Sequence, residues 1–248
     1  MLRAELIKLR RSAVWPIALV LPLLAVTTGT INYANSADLL PSDWAAFTSQ
    51  VVLFYGMLFF SLGIGLVAAT TWRVEHRGSN WNLLLTATRR PLLLVLAKVA
   101  VTTVPVAFMQ AVLVVGTLVS GTFVLRLDGG VPWSFVLVGA LSVVAALPLV
   151  VLQSLLSMLL RSFAAPVALC LVGCVLGVAT VTSVGLRPLS HVLPQAINTR
   201  ALNLGSTSLA GSGGLTAGDA IPILLTALGL AAALVAVSVA AVRLVKLR

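Results

Sequence analysis

The chain has 248 residues, of which 60% are hydrophobic and only 9% charged, and a mean hydropathy of +1.12. That composition excludes an ordinary soluble domain. A formal charge of +10 would point to nucleic acid in a soluble protein, but here the basic residues divide by side of a membrane and no nucleic acid is implied.

A span needs about 20 apolar residues to cross the hydrocarbon core. In chain order the candidates are Val14–Tyr33, Gln50–Thr71, Val99–Leu125, Phe135–Met158, Phe163–Gly185 and Ala220–Val242. The expected fold is therefore all-α, a polytopic membrane protein with six transmembrane helices in one domain. Ahead of the first span, Met1–Ser12 reads as an interfacial amphipathic helix. Leu2, Leu6, Leu9 and Ala13 form one apolar stripe, and Arg3, Lys8, Arg10 and Arg11 take the wetter, membrane-interface side. Glu5 within the basic stretch and the length of the following apolar run argue against a cleaved signal peptide.

Four basic residues precede the first span (Arg3, Lys8, Arg10, Arg11), and five surround the loop after the second (Arg73, Arg77, Arg89, Arg90, Lys98). Arg161 follows the fourth, and Arg243, Lys246 and Arg248 follow the sixth. Only Arg126, Arg187 and Arg200 lie in the alternate loops. The positive-inside rule then places both termini in the cytoplasm. The inner segments hold two acids, Glu5 and Glu75; the outer ones hold Asp38, Asp43, Asp128 and Asp219. The basic rim meets anionic headgroups of the lipid bilayer, at roughly 1 kcal/mol per Lys or Arg near the surface.

The loop Trp72–Pro91 is the most specific segment. Ser79 or Asn80 can cap a short helix running through Trp81, Leu84 and Leu85, Arg89 and Arg90 suit its C-terminal dipole, and Pro91 stops it. Such a helix with exposed apolar side chains is a docking knob for a soluble partner; a plain interfacial hairpin is the other reading.

Within the spans there is no Asp or Glu, so a proton- or sodium-coupled carrier lacks its relay. His76 and His191 fall on opposite sides and cannot share a metal. Lys8, Lys98 and Lys246 follow Ile7, Ala97 and Val245, so no phosphate-binding Gly-Lys loop is present. No catalysis and no cofactor are expected on this chain; a second chain would supply the energy. Ser61 with Gly65, and Gly173 with Gly177, are small-residue pairs for close helix packing, either within the chain or between subunits. Cys170 and Cys174, one turn apart, read as buried small side chains.

The order of these elements resembles the permease subunit of type-2 ABC exporters, in particular the bacitracin- and lantibiotic-immunity branch. The resemblance rests on Glu5-x-x-Lys8-x-Arg10-Arg11 at the N-terminus and Glu75-His76-Arg77-Gly78-Ser79-Asn80-Trp81 after the second span. Ala97-Lys98 and Leu156–Ser162 extend it. It implies a partnership with two cytoplasmic ATPase subunits, which carry the ATP and Mg, and with a second permease, identical or homologous. It implies that the 73–90 loop is a coupling helix on which the ATPase docks, through Glu75, His76, Arg77, Gly78, Asn80, Trp81, Leu84 and Leu85. Glu75 would pair with a basic group of the ATPase or with Arg77. It also implies that the outer loop 186–219 dips back, with Leu186–Leu204 as a broken helix pair before the flexible tract Gly205–Gly218. The expected function is ATP-driven export of an amphipathic peptide antibiotic or another hydrophobic compound, giving antibiotic resistance or immunity at the cell membrane. A non-transporting scaffold or sensor that uses the same loop is the alternative.

Overall fold

A computed structural model describes residues 2–10, 12–36, 38–76, 90–130, 132–204, 206 and 215–245, with backbone alone at 2–4 and 245. Those residues form helices and no strand. Six helical stretches are long and apolar enough to cross a membrane: Val14–Asn35, Trp44–Arg73, Pro91–Val124, Trp133–Leu159, Ala164–Thr182 and Ala217–Leu244. The protein is an all-α, multi-pass membrane protein.

The elements are α1 (Leu2–Leu9), α2 (Val14–Asn35), α3 (Trp44–Phe54), α4 (Phe60–Arg73) and α5 (Pro91–Val119). They continue with α6 (Trp133–Ala145), α7 (Leu147–Leu159), α8 (Ala164–Thr182), α9 (Pro194–Leu202) and α10 (Ala217–Val245). Two of the crossings begin well before the hydropathy boundaries. The second opens at Trp44, where the Asp43 side chain accepts the Ala46 N–H at 2.7 Å and caps the helix. Thr48 and Ser49 made this turn look polar, yet their hydroxyls donate back to the Trp44 and Ala45 carbonyls at 2.8 and 2.7 Å. The third opens at Pro91, which suits the first turn because its missing N–H would be unpartnered there. Hydropathy delayed that start to Val99 because Lys98 interrupts the apolar run; the structure buries Lys98 completely.

Two helices are interrupted. A π-helical turn, Tyr55–Phe59, joins α3 to α4 and displaces backbone carbonyls from the regular ladder. Between α6 and α7, Pro148 removes one N–H from the ladder and the chain pauses at Ala146.

The core forms where α2, α3, α4 and α5 meet. Tyr33, Phe47, Tyr55, Phe60 and Met109 pack together there. The Tyr33 and Phe47 rings lie edge-on at 5.5 Å and those of Tyr55 and Phe60 are stacked at 5.3 Å. A Cβ on Gly29 would come within 2.7 Å of the Val51 backbone, so α2 and α3 approach as only glycine allows.

At the outer end, a 3-10 turn (Val184–His191) leads into α9. α9 packs into the bundle. Gln195 through Thr199 and Ala201 through Asn203 are buried, and Ile197 and Ala201 pack on Ala145, Ile223 and Ala227. Thr199 donates to the Gly56 carbonyl at 2.8 Å, within the π turn. Gly56 lies about 18 Å along its helix from Trp44, at 1.5 Å per residue. Non-spanning backbone is tolerated at such depth only when enclosed by protein. Most of the Gly205–Gly218 tract lies outside the described residues.

Candidate functional site

The inner end of the bundle carries the most distinctive chemistry. After α4 ends at Arg73, the N–H groups of Glu75 and His76 both bond the Trp72 carbonyl, at 3.0 and 3.3 Å. This turn swings Glu75 back against the helices instead of out toward the cytoplasm. Its residue is 2% exposed. Two ammonium groups meet its Oε1: Lys8 of α1 and Lys98 of α5, each at 2.7 Å. The same two lysines hold Glu5 of α1, Lys8 on Oε1 at 2.8 Å and Lys98 on Oε2 at 2.7 Å.

Glu5, Lys8, Glu75 and Lys98 thus alternate in a closed ring of four ion pairs with no net charge. They are the only ion pairs among the described residues. Lys98 is fully buried, and its ammonium also sits 5.1 Å from the centroid of the Trp72 ring, a cation–π contact. A buried ion costs several kcal/mol of desolvation, and here each charge has two opposite neighbours. Burial raises the pKa of Glu75, but the charge of Lys98 and the hydrogen bonds from Lys8 and Lys98 outweigh it and leave the carboxyl below its ordinary value. Burial likewise lowers that of Lys8, yet the bonds and charges of Glu5 and Glu75 hold its ammonium above the ordinary range.

Helical spacing explains how α1 reaches the ring. Glu5 and Leu9 are four apart and share the buried face, Leu9 packing on Val14, Val67 and Val101. Trp15 donates its indole N–H to the Leu9 carbonyl at 2.9 Å and ties the bend. Of the expected apolar stripe, Leu9 faces the bundle. Leu6 and Ala13 are exposed, and the inward face includes an acid. The Lys8 ammonium points into the ring. Arg10 is exposed; Arg11 and the side chains of Leu2 and Arg3 lie outside the described residues.

Of the residues expected to dock a partner, the structure describes two. The Glu75 carboxylate is directed inward, onto Lys8 and Lys98. His76 directs Nε2 at the Ser157 carbonyl, 2.7 Å away; facing a carbonyl, that nitrogen carries the hydrogen and donates. This contact joins the end of the second crossing to the end of the fourth. Beside it, the Arg73 guanidinium lies 5.5 Å over the Phe163 ring. Arg77, Gly78, Asn80, Trp81, Leu84 and Leu85 lie outside the described residues.

Both small-residue pairs face α8 or project from it. Cys170 donates its thiol to the Ser61 carbonyl at 3.1 Å, and a Cβ on Gly65 would lie 3.0 Å from Cys170. Further along the same face of α8, a Cβ on Gly177 would lie 3.0 Å from the Gln195 Cβ, and Gly173 faces the Gln195 amide. The glycines therefore admit α9 within this chain.

The ring went unread in the sequence although a signal was present. A lysine eight residues into an apolar helix needs carboxylates, and the inner side of the chain offers only Glu5 and Glu75. Notably, the Glu5–Lys8, Glu75 and Ala97-Lys98 fragments, distant in sequence, converge here. Residues 1–177 match the family described as ABC-2 family transporter protein. The chain belongs to that family. No curated protein and no solved structure matches it. It is accordingly a membrane permease of an ABC transporter, a transport subunit whose family implies an ATPase partner, and in bacteria it belongs to the cell membrane. The matched region ends within α8, so the 3-10 turn, α9 and α10 lie beyond it.

Proposed function

We propose that this permease exports an amphipathic peptide antibiotic or another hydrophobic compound out of the membrane, as the bacitracin- and lantibiotic-immunity transporters it resembles do. In this reading two ATPase subunits dock on residues 73–90 and carry the ATP and Mg, and a second permease, identical or homologous, completes the pathway. The observation that supports it is the ion-pair ring. Glu75 stands at the root of the loop, Lys98 on a membrane-crossing helix and Glu5 and Lys8 on α1. A push on the loop is thereby delivered to α5 and α1 together rather than dissipated in a hinge. Glu75 then acts as a positioning residue behind the docking surface, and Trp81 is the anchor on it, since a buried interface aromatic contributes about 2 kcal/mol or more on truncation.

Co-purification with the ATPase, read alongside export, tests both roles. Trp81→Ala is expected to lose ATPase association while the permease still inserts. Glu75→Gln is expected to keep association but lower substrate-stimulated ATP hydrolysis. Normal assembly and export in both variants would remove the loop from coupling and favour a scaffold instead.

A further inference from the structure

Next to the ring, the ends of three helices line a cavity of about 220 Å³. Its described lining includes Arg73 and His76 from the end of the second crossing, Ser157 from α7, and Arg161, Ser162 and Phe163 from the turn into α8. We propose that this cavity is a binding site for a phosphate ester, supplied by an anionic phospholipid of the cytoplasmic leaflet.

Three independent observations lead there. The first is charge. The described lining carries two guanidinium groups and an imidazole but no carboxylate. The inner side of the chain possesses only two acids, Glu5 and Glu75, and both are engaged by Lys8 and Lys98. Among the described residues, Arg73 and Arg161 have no carboxylate partner. The second is an orphaned donor. Ser157, a residue of the cavity lining, is 2% exposed, and its hydroxyl has no hydrogen-bond partner. A buried hydroxyl without a partner costs about 1–3 kcal/mol, and a phosphate oxygen would accept its hydrogen. The third is backbone. The 19-residue helix α8 begins at Ala164 with no side-chain cap, and Phe163 and Pro166 at its start line the cavity, so the positive end of its dipole is directed there.

A lipid rather than a soluble phosphate fits the surroundings. The cavity lies at the ends of membrane-crossing helices, level with the headgroups, and Leu159 and Phe163 beside it are exposed apolar surface on which acyl chains can lie. Arginine suits the task because its fork donates two hydrogen bonds to one phosphate.

The test is native mass spectrometry of the purified full-length permease, titrated with dioleoyl phosphatidylglycerol or dioleoyl phosphatidylcholine. One phosphatidylglycerol per chain is expected to persist under conditions that strip phosphatidylcholine. Arg161→Gln and Arg73→Gln should each weaken its retention about tenfold, the worth of a charge-assisted pair. Arg161→Lys should recover part of the loss, Ser157→Ala should weaken retention by a smaller factor, and Arg126→Gln on the outer loop should change nothing. Because Arg161 is exposed, its variants test the site even where Arg73→Gln fails to fold. Equal retention of both lipids, or no loss in the Arg161 and Ser157 variants, overturns the proposal. Displacement by an equal concentration of glycerol 3-phosphate would assign the site to soluble phosphate esters and overturn the lipid source. Unchanged lipid retention with loss of ATPase co-purification in Arg161→Gln would give the cavity to a partner carboxylate instead.

Discussion

The two ends of the permease differ in how their costliest buried groups are matched. At the inner end, Glu5, Lys8, Glu75 and Lys98 are fully matched, each charge touching two of the other sign. At the outer end, α9 is just as buried but incompletely matched. Thr199 donates to Gly56 and the Asn203 amide donates to the Thr199 carbonyl, at 2.8 Å each. Yet both side-chain polar atoms of Asn198, and Oε1 of Gln195, have no protein partner, and neither has the Gln153 amide on α7. The difference follows from what each group costs to desolvate. An unmatched buried ion is worth several kcal/mol and would not persist, whereas a neutral amide costs roughly 1–3 kcal/mol and can be tolerated. The inner end is therefore a joint with one arrangement, and the outer end a plug whose amides can exchange partners.

Breaking the ring should have the largest effect. Lys98→Ala leaves two buried carboxylates facing one lysine, and is expected to cost about 3–5 kcal/mol, read as thermal unfolding of the purified protein. Lys98→Ala combined with Glu75→Ala restores neutrality and should recover part of that loss. A double variant worse than the sum of its singles would contradict the ring as drawn.

At the outer end the effects should be smaller and of mixed sign. Thr199→Val strands the Gly56 carbonyl at the π turn, for about 1–3 kcal/mol. Asn198→Leu removes two unpartnered atoms and is expected to be neutral or stabilising on the same assay. If Asn198→Leu proves as costly as Lys98→Ala, the two ends do not differ in the way described.

The response to pH is the gentlest probe. Glu75 lies below its ordinary pKa, so its contribution is present above the unfolded value of about 4.3 and is lost as the pH falls through the lower folded value. Lys8 lies above its ordinary pKa, so its contribution is present below about 10.4 and is lost as the pH rises through the higher folded value. The stability difference between wild type and the Glu75→Ala, Lys98→Ala double variant should stay level from about pH 5 to pH 10. A step near neutral pH would mean that another group governs the joint.

Much of this architecture was legible in the residues alone. Apolar runs of membrane length and lopsided loop charge specify the crossings and their orientation, because transfer of a backbone into lipid leaves helices as the only open choice. The starts of the second and third crossings were not legible by hydropathy, which scores Thr48, Ser49 and Lys98 as if each faced water or lipid. Two of them are satisfied by the helix's own carbonyls and the third by acids 23 and 93 residues away. The small-residue pairs announced a close helix contact but not its partner, since any neighbouring backbone can fill the space a glycine leaves.

What the amino-acid order settled was the local account: how many crossings, roughly where each runs, and which loops are basic. Where Glu75 points, whether Lys98 belongs to the loop or to the membrane, and how deep α9 reaches were decided only by tertiary packing. A charge or an amide is placed by the groups that can match it, and at these sites those groups come from helices far apart in the chain.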